Sequence, residues 1–509
     1  MTFTLAGVLT DLARRTPEAT ALVLDDTRLT FAQLADHGTR LAHVLADLGV
    51  SGQQRVGFLG RNSPAFFELA LACSLQDAVL VGLNWRLAPG ELAAIVADAE
   101  LALMVCGPEM LSAVAPAAAG LGVRVLSTGE ELDALMAAAD DDPVESVTTG
   151  ESVLLQLYSS GTTGLPKGTL ITNENLSFTQ TSGRLLYGMD ASTVNLVPSP
   201  LFHIGGVGYG TTALSQGGTT VLVPDSEPAT LIRAIEEHGV THAFMVPAVI
   251  QSLVRSPALA DADLSSLVAV AYGGAPMSEA LLQSAIAALQ CEFLGVYGMT
   301  ETSGTVVALA AEHHDPGGAR AHLLRSIGRA LPWAAEVELR DPVTFDPVEA
   351  GTVGEIWVRS GQVTPGYWHQ PEASAEALVA DGWLRTGDAA YADDEGFLFL
   401  HDRMKDMVIT GGENVYPAEV ENILANHPAV VEVAVIGVPS ERWGESVKAL
   451  VVVDPDVPFD EAELIAFARE RLAHYKCPKA VQIVEVLPRN ASGKILKKEL
   501  RMTHGGALA

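Results

Sequence analysis

Short apolar runs alternate with stretches of helical periodicity over the first 330 residues. The runs are bounded by turn-forming residues, as is typical of β-strands. They lie at residues 55–59, 79–83, 102–106, 153–158, 194–198, 219–224, 242–247, 267–272 and 292–297. Residues 31–48, in contrast, carry leucines at helical spacing, at Leu34, Leu41, Leu45 and Leu48. This alternation predicts an α/β fold with largely parallel sheets.

The pattern changes at about residue 331. From there to residue 401 the strands become shorter and Gly and Pro more frequent, and TVGEIWVRS (352–360) alternates apolar and polar positions. Alternation of this kind is typical of antiparallel strands with one buried face. We therefore predict a small antiparallel, β-barrel-like subdomain at 331–401 within an N-terminal domain at 1–402.

A new unit begins at about residue 406. Its predicted strands lie at 430–438, 448–454 and 480–487, and its predicted helix lies at 460–475. Thirteen of the 31 lysines and arginines fall within residues 402–509. The pattern predicts a small C-terminal α+β domain at 406–509 with a cationic face of its own.

The net charge of −31 argues against nucleic acid as a partner, because phosphate backbones require a basic surface. Anionic small molecules could still bind where local donors outweigh the global charge. No apolar run is long enough to predict a membrane span.

The cysteine pattern and the N-terminal residues indicate the cellular compartment. Cys73, Cys106, Cys291 and Cys477 are widely spaced and form no CxxC pair, which favours a reducing cytosol over a disulfide framework or a zinc site. The first twenty residues lack the features of a signal peptide. We expect a cytoplasmic protein.

The stretch YSSGTTGLPKG (158–168) has the composition of an anion-binding loop. It follows an apolar strand, and its glycines, hydroxyls and lysine can all turn donors toward a phosphate. It fails the Walker pattern, because Pro166 replaces the second glycine and Gly168 replaces the hydroxyl residue after Lys167. The alternative is a solvated turn. Because Lys167 is the only lysine in the first 404 residues, we favour the phosphate loop.

Three further loops follow predicted strands and carry chemically useful side chains. They contain His203, residues 272–276 (YGGAP) and residues 297–301 (YGMTE). Loops on successive strands of an α/β sheet share a crevice. There Gly273 and Gly274 would let the backbone approach a flat ring and Tyr297 would stack on it. Thr300 would donate to a phosphate oxygen and Glu301 would hold Mg²⁺.

Five segments, in order, resemble the signature motifs of the acyl-adenylate-forming superfamily, which includes acyl-CoA synthetases, peptide-synthetase adenylation domains and luciferase. They are YSSGTTGLPKG (158–168), YGMTE (297–301), WLRTGD (383–388), DRMKDMVITGGENVYPAEVE (402–421) and PRNASGK (488–494). The resemblance spans nearly the whole chain. It implies a large N-terminal α/β domain and a small mobile C-terminal domain.

The resemblance implies an ATP site in which residues 273–276 and Tyr297 hold adenine and Thr300 meets the α-phosphate. Asp388 would bind the ribose hydroxyls, assisted by Arg403. An Asp that merely caps a turn is the alternative for Asp388. The implied ATP-binding residues are Ser159, Ser160, Gly161, Thr162, Thr163, Gly164, Lys167, Gly273, Gly274, Ala275, Pro276, Tyr297, Gly298, Met299, Thr300, Asp388 and Arg403.

The implied reaction has two steps. A carboxylate attacks ATP to give acyl-AMP and pyrophosphate, and a thiol then displaces AMP. The first step brings two anions together, so positive charge must point at the forming bond. Lys494 matches the family's catalytic lysine, although a surface lysine in a basic tail is the alternative. With it, Thr300, Glu301 and His203 complete the expected catalytic set, and Glu301 is the expected metal ligand.

The acid pocket is predicted to form from residues 202–210, 244–247, 272–276 and 298–304, which contain no Arg or Lys. A second carboxylate would lack a counter-ion there, so we expect an apolar acid of medium or long chain, or a bulky alicyclic or aromatic acid. Glycines at 205, 206, 208 and 210 indicate room for bulk. His203 would touch the carboxylate or gate the pocket, or else cap a helix. The expected lining residues are Phe202, His203, Val207, Gly208, Val246, Gly273, Gly298 and Gly304.

CoA is the expected thiol, since two segments resemble those that approach it in the family. They contain Gly411, Gly412 and Glu413, and Trp443 and Gly444. By the same resemblance residues 403–405 form a hinge at Lys405. A carrier protein, an amine acceptor and a non-catalytic nucleotide-binding role remain as alternatives. A homodimer is left open as the state of assembly.

Overall fold

The structure is a computed structural model that describes residues 3–159, 166–403, 406–410, 413–440, 443–489 and 494–506. The α-helices of these residues are α1 (Leu5–Arg15), α2 (Phe31–Asp47), α3 (Pro64–Leu75), α4 (Pro89–Ala99), α5 (Leu111–Leu121), α6 (Glu130–Ala138), α7 (Asn173–Leu185), α8 (Ile204–Ser215), α9 (Pro228–His238), α10 (Pro247–Arg255), α11 (Glu279–Leu289), α12 (Pro371–Ala377), α13 (Pro417–Leu424), α14 (Glu461–Arg469) and α15 (Lys497–His504). Short 3₁₀ turns occur at Pro108–Met110, Pro257–Asp261, Thr300–Thr302, Ala311–His313, Ala321–Arg325 and Ala380–Gly382.

The strands follow the same chain order. They are β1 (Thr20–Leu24), β2 (Thr27–Thr30), β3 (Arg55–Leu59), β4 (Val79–Leu83), β5 (Leu101–Cys106), β6 (Arg124–Ser127), β7 (Val153–Ser159), β8 (Lys167–Thr172), β9 (Val194–Val197), β10 (Thr219–Leu222), β11 (His242–Met245), β12 (Ala269–Gly273), β13 (Glu292–Met299), β14 (Gly304–Leu309), β15 (Arg329–Ala330), β16 (Glu336–Arg340), β17 (Gly354–Arg359), β18 (Leu378–Val379), β19 (Trp383–Ala392), β20 (Leu398–Arg403), β21 (Val408–Thr410), β22 (Glu413–Val415), β23 (Val430–Ser440), β24 (Gly444–Val453) and β25 (Ala480–Ile483).

Two large sheets form the N-terminal part. The nine-stranded sheet has the order β15-β14-β13-β12-β11-β9-β10-β1-β2 and is parallel from β13 to β1. The six-stranded sheet has the order β6-β5-β3-β4-β7-β8 and is parallel except at β8. Strand β4 (VLVGL) is buried at every residue, as expected of a parallel strand covered on both faces.

Helix α3 lies between these two sheets. Its sequence, PAFFELALACSL, is apolar around the whole circumference, and ten of its twelve residues are buried. One hydrophobic cluster contains its side chains together with Leu22 and Leu222 of the nine-stranded sheet and Val56 and Leu80 of the six-stranded sheet. The two sheets therefore share a single core across α3.

Two smaller sheets follow. Strands β16, β17, β19, β18 and β20 form an antiparallel sheet, in agreement with the predicted antiparallel subdomain. The last sheet has the order β22-β21-β24-β23, with β25 parallel to β24. With α13, α14 and α15 it forms the small C-terminal α+β unit that the sequence predicts. In the described part of the chain, no helix is both long and apolar enough to span a membrane.

Residues 361–368 attach the antiparallel sheet to the six-stranded sheet. The Trp368 amide donates to the Gly168 carbonyl at 2.8 Å, and the Leu170 amide donates to the Gly366 carbonyl at 3.1 Å. Asn175, at the start of α7, donates its side-chain amide to the carbonyls of residues 361 and 363. These bonds fix β8, and with it Lys167, against the 361–368 segment.

The predicted elements are confirmed with shifted ends. The helix predicted at 31–48 is α2, and each apolar run listed above forms a strand. The helix predicted at 460–475 was wrong beyond Arg469. Leu464 and Ala468 are its buried positions, Leu472 is only partly buried and the next fully buried residue is Cys477, so little apolar contact supports further turns. The strand predicted at 480–487 ends at Ile483.

Candidate active site

A cleft of about 850 Å³ opens beyond the carboxyl ends of β9, β11, β12 and β13. The antiparallel sheet and the C-terminal unit also contribute to its wall. It brings together these predicted site residues: Lys167, His203, Gly208, Val246, Gly274, Gly298, Met299, Thr300, Glu301, Gly304 and Lys494. Open α/β sheets bind ligands at this edge, so the cleft is the candidate active site.

A tight turn after β13 presents Thr300 and Glu301 to the cleft. Thr302 closes the turn by donating its hydroxyl to the Gly304 carbonyl at 2.7 Å. A Cβ on Gly298 would lie 1.9 Å from the same carbonyl oxygen, so only glycine fits there. Gly298 of the YGMTE motif is therefore required by the turn itself.

Glu301 is held by a tyrosine of the 361–368 segment. The Tyr367 hydroxyl donates to Glu301 Oε1 at 2.9 Å, and the Thr364 amide donates to the Glu301 main-chain carbonyl at 2.8 Å. Lys167 Nζ lies 4.7 Å from the centroid of the Tyr367 ring, within cation–π range. Glu301 is only 7% exposed. A carboxylate, a phenol and an ammonium thus lie side by side on the cleft wall.

Asp388 is joined to Tyr297 across two sheets. The Tyr297 hydroxyl donates to Asp388 Oδ2 at 2.9 Å, and the Asp388 amide donates to the Thr386 hydroxyl at 3.1 Å. Arg403 pairs with Asp388 through the backbone register of β19 and β20. The Tyr297 ring packs in a hydrophobic cluster with Ile356 and its neighbours. Neither Tyr297 nor Asp388 is among the residues that line the cleft. The adenine-binding role of Tyr297 and the ribose-binding role of Asp388 therefore stay predictions.

A buried carboxylate supports the turn before Asp388. Glu355, 2% exposed, accepts from the Gly387 amide at 3.1 Å and from Arg385 Nη2 at 3.0 Å. Gly387 has φ +70°, which glycine adopts without strain. Glu355, Arg385 and Gly387 all line the cleft.

Only one residue of the 273–276 loop lines the cleft. Gly274 has φ +77° and lines the cleft. A Cβ on Gly273 would lie 2.3 Å from the Val296 carbonyl oxygen, so this glycine is required for the packing of β12 against β13. Gly273, Ala275 and Pro276 do not line the cleft.

His203 is the N-cap residue of α8 and lines the cleft. Its side chain makes no capping hydrogen bond, which is contrary to the capping alternative. Burial, with a contribution from Arg86, lowers the pKa of His203 to about 4. Its Nε2 has no hydrogen-bond partner among the described residues. A neutral imidazole with a buried, unpaired nitrogen is suited to meet a ligand.

The glycines of α8 serve packing, so the prediction that they leave room for bulk was wrong at three positions. A Cβ would meet other groups at Gly205 (Phe244, 2.8 Å), Gly206 (Pro200 carbonyl, 2.2 Å) and Gly210 (Phe67, 2.9 Å). Only Gly205 and Gly208 of the four line the cleft. Phe202 and Val207 are 5% and 2% exposed and do not line it. Their predicted places in the acid pocket are therefore not seen.

Cations reach the cleft from segments outside the predicted acid pocket. Besides Lys167 and Lys494, the cleft is lined by Arg86, Arg385 and Arg489. Arg86 lies close enough to His203 to lower the pKa of the imidazole. The absence of Arg and Lys from the predicted stretches thus does not make this cleft free of cations.

Several predicted residues lie outside the described residues. These are Ser160, Gly161, Thr162, Thr163 and Gly164 of the glycine-rich loop, Lys405 of the hinge, and Gly411 and Gly412 of the CoA segment; the side chains of Ser159, Arg403 and Glu413 are also outside it. Trp443 is 43% exposed, and Gly444 begins β24 with φ +77°. Neither of these last two residues lines the cleft.

Sequence reasoning missed Arg86, Tyr367 and Gln362, which all line the cleft. Arg86 lies three residues after β4, closer than His203 lies to β9, so the rule of polar residues after strands would have found it. Tyr367 and Gln362 come from the antiparallel subdomain. No local pattern places that subdomain against β13.

Two family descriptions match the chain. Residues 9–368 match the AMP-binding enzyme family, and residues 419–494 match the AMP-binding enzyme C-terminal domain. The first spans both large sheets, and the second spans most of the small C-terminal unit.

Relatives with curated functions and a solved structure match over nearly their whole length. A feruloyl-CoA synthase of an Amycolatopsis species is 41% identical over 97% of this chain and 97% of its own. A fatty acid–[acyl-carrier-protein] ligase of Streptomyces coeruleorubidus is 36% identical over 96% of this chain and 94% of its own. The amide bond synthetase of Marinactinospora thermotolerans is 32% identical, with a TM-score of 0.89 over 98% of this chain and 100% of its own.

Proposed function

Because this chain belongs to the AMP-binding enzyme family, we propose that it is an ATP-dependent carboxylic acid:CoA ligase that acts through an acyl adenylate. The observation that carries the proposal is the convergence of Lys494, from the C-terminal unit, with Lys167, Thr300 and Glu301 on one cleft. Lysines and a threonine at one site supply the donors that a carboxylate meeting a triphosphate requires.

In the first step, a carboxylate oxygen of the acid forms a bond to the α-phosphorus of ATP, and the bond to pyrophosphate breaks. Lys494 stabilises the negative charge that gathers between the two anions. Lys167 and the hydroxyl-rich loop before it hold the departing phosphates. Thr300 donates to the α-phosphate, and Asp388 accepts from the ribose hydroxyls.

Glu301 fits a magnesium ligand by its chemistry. It is a carboxylate on the cleft wall with one oxygen engaged by Tyr367, and Mg²⁺ is commonly held by one or two carboxylates plus substrate phosphates and water. When bound, the ion would neutralise charge on the triphosphate. Tyr367 would orient the Glu301 carboxylate for this role.

In the second step, the thiolate of CoA attacks the acyl carbon, a thioester forms and AMP leaves. The thiol proton passes to solvent. CoA is the acceptor we favour, in line with the relative named feruloyl-CoA synthase. The carrier-protein ligase and the amide synthetase support the rival acceptors, a carrier protein or an amine, on the same adenylation chemistry.

For the acid we propose an uncharged tail. The wall beyond His203 is formed by Gly208, Tyr209, Phe244 and Val246, which are apolar or aromatic. An apolar medium-chain, long-chain, alicyclic or aromatic acid suits such a wall. Among the described residues, Arg86 is the cation that lowers the pKa of His203, so we propose it as the residue through which a dicarboxylate would gain a counter-charge.

The decisive experiment measures acid-dependent pyrophosphate release over a panel of carboxylic acids. Each active acid is then offered CoA, a holo-carrier protein and an amine, and the product is identified by mass. A thioester of CoA supports the proposal. A carrier thioester or an amide would change the acceptor, and the absence of release with every acid would leave only a nucleotide-binding role.

A further inference from the structure

One wall of the cleft is an aromatic cluster beside α8. The Tyr209 ring lies edge-on to Tyr187, with centroids 5.2 Å apart, and 5.7 Å from the Phe244 ring. All three residues line the cleft and are less than 10% exposed. Tyr209 follows His203 by six residues, or roughly 9 Å along a helix. His203 lines the same cleft, and a wall of three aromatic rings suits a flat, apolar ring.

The far side of this cluster is polar. The Tyr187 hydroxyl and the Thr305 hydroxyl lie 3.0 Å apart and share one hydrogen bond. Two hydroxyl groups carry two hydrogens, and one bond between them uses one. The pair can therefore offer its second hydrogen to another acceptor at the cleft.

Gln362 faces the same segment with a defined orientation. Its Nε2 lies 3.0 Å from the Thr302 carbonyl oxygen and 3.3 Å from that of Thr305. Because both neighbours are acceptors, the amide nitrogen must face them, and the amide oxygen must point away. That oxygen is buried and has no hydrogen-bond partner among the described residues.

Ser303 lies in the chain between Thr302 and Thr305 and also carries a buried polar atom without a hydrogen-bond partner. It is 0% exposed, lines the cleft and has φ +50°, yet its hydroxyl has no partner in the described part of the chain. Buried polar atoms without partners cost about 1–3 kcal/mol each, so a ligand that bonded to the Gln362 oxygen and the Ser303 hydroxyl would relieve that cost. The side chains that form this polar end are uncharged.

We propose that the acid accepted by this cleft carries an aromatic ring with a neutral hydroxyl remote from its carboxylate, held by Gln362, Ser303 and the Tyr187–Thr305 pair. This inference rests on the proposed function. The hydroxyl donates to the Gln362 oxygen and accepts the spare hydrogen of the Tyr187–Thr305 pair. The Tyr209 and Phe244 rings flank the aromatic ring, and His203 lies at its carboxylate end.

Two acids that differ by one hydroxyl test the inference. The measurement is kcat/KM for pyrophosphate release with 3-(4-hydroxyphenyl)propanoate and with 3-phenylpropanoate. A site built to bind a hydroxyl rejects the analogue that lacks it, so we expect a preference of at least about tenfold for the hydroxylated acid. Tyr187→Phe should reduce this preference severalfold, and so should Thr305→Val, which serves if the first variant folds poorly. The matched control, Tyr391→Phe, removes a tyrosine hydroxyl outside the cleft lining and should leave the ratio of the two acids unchanged.

The outcomes separate the two proposals. Equal kcat/KM values for the two acids, or a preference that survives both Tyr187→Phe and Thr305→Val, would overturn the inference and leave the ligase function intact. No release with any acid of the wider panel would overturn the proposed function and the inference with it. A preference that is lost in both variants but kept in Tyr391→Phe supports the inference.

Discussion

The hydroxyl of Tyr367 donates a hydrogen bond to Glu301 Oε1 at 2.9 Å, and the ring of the same tyrosine lies beneath the ammonium of Lys167. The three residues come from the segment before α12, the turn after β13 and the start of β8. A single side chain therefore links the predicted metal ligand to the predicted phosphate-binding lysine.

Tyr367→Phe should weaken the use of ATP while leaving the ring under Lys167. A hydrogen bond to a charged group contributes about 1.5–3 kcal/mol, so we expect kcat/KM for ATP to fall at least about tenfold. The midpoint of a Mg²⁺ titration should rise in parallel. Tyr391→Phe, on the same antiparallel region but stacked on Phe399 away from the cleft, is the control. An unchanged Mg²⁺ midpoint would show that Tyr367 does not orient the metal ligand.

Lys494→Ala should nearly abolish adenylation and spare thioester formation. Its charge serves the junction of carboxylate and phosphate, which no longer exists once acyl-AMP has formed. Loss of one such donor typically lowers the rate by about 10²–10³. The measurement compares pyrophosphate release with CoA-dependent turnover of synthetic acyl-AMP. Lys498→Ala, a neighbouring lysine on α15, controls for loss of general positive charge. If both half-reactions fell equally, the assigned role would be wrong.

Lys405→Pro should separate the two half-reactions in the opposite sense. We assign Lys494 to adenylation and the GGEN segment at 411–414 to CoA binding, and this proposal requires the C-terminal unit that carries both to rotate between the two steps. Proline locks φ near −65° and removes an amide hydrogen, which restricts such a rotation. We expect acid-dependent ATP–pyrophosphate exchange within about tenfold of the parent and CoA-dependent turnover lower by well over about 10². Parallel loss of both activities at an unchanged melting temperature would exclude the hinge.

Dicarboxylic acids should be poor substrates. We expect malonate and succinate to show kcat/KM values at least about tenfold below that of a matched apolar acid, a difference of about 1.4 kcal/mol in activation free energy. Equal values would show that a cation reaches the acid tail. Arg86→Gln would then identify the source, because a loss confined to the dicarboxylates would assign the counter-charge to Arg86.

Acidification should destabilise the protein through His203. The folded state lowers the pKa of this histidine from 6.5 to about 4, so between these values the unfolded chain binds the proton more readily. The corresponding stability is present above pH 6.5 and is lost as the pH falls toward 4, at a rate of at most about 1.4 kcal/mol per pH unit. His203→Gln should flatten the pH dependence of the unfolding free energy in this window. The exposed His474→Gln should not, and identical curves for both variants would contradict the burial of His203.

The amino-acid sequence by itself determined many of the strands, the alternation of strands with helices and the chemistry of the strand ends. These features depend on local physics. Apolar periodicity over five to fifteen residues selects strand or helix, and Gly, Pro and hydroxyl residues end each element and open the loops. Thr300, Glu301 and His203 could be identified because each follows a buried strand, and parallel strands deliver their carboxyl ends to one edge.

Only the tertiary structure decided which distant groups meet at that edge. Tyr367 reaches Glu301 because residues 361–368 dock on β8, and Tyr297 reaches Asp388 because two sheets abut. The orientation of the Gln362 amide depends on two carbonyls some sixty residues away. From sequence alone, a glycine of α8 that leaves space for a ligand cannot be told from one whose Cβ position is occupied by Phe244 or Phe67. Contacts between segments far apart in the chain leave no local pattern, so packing alone determines them.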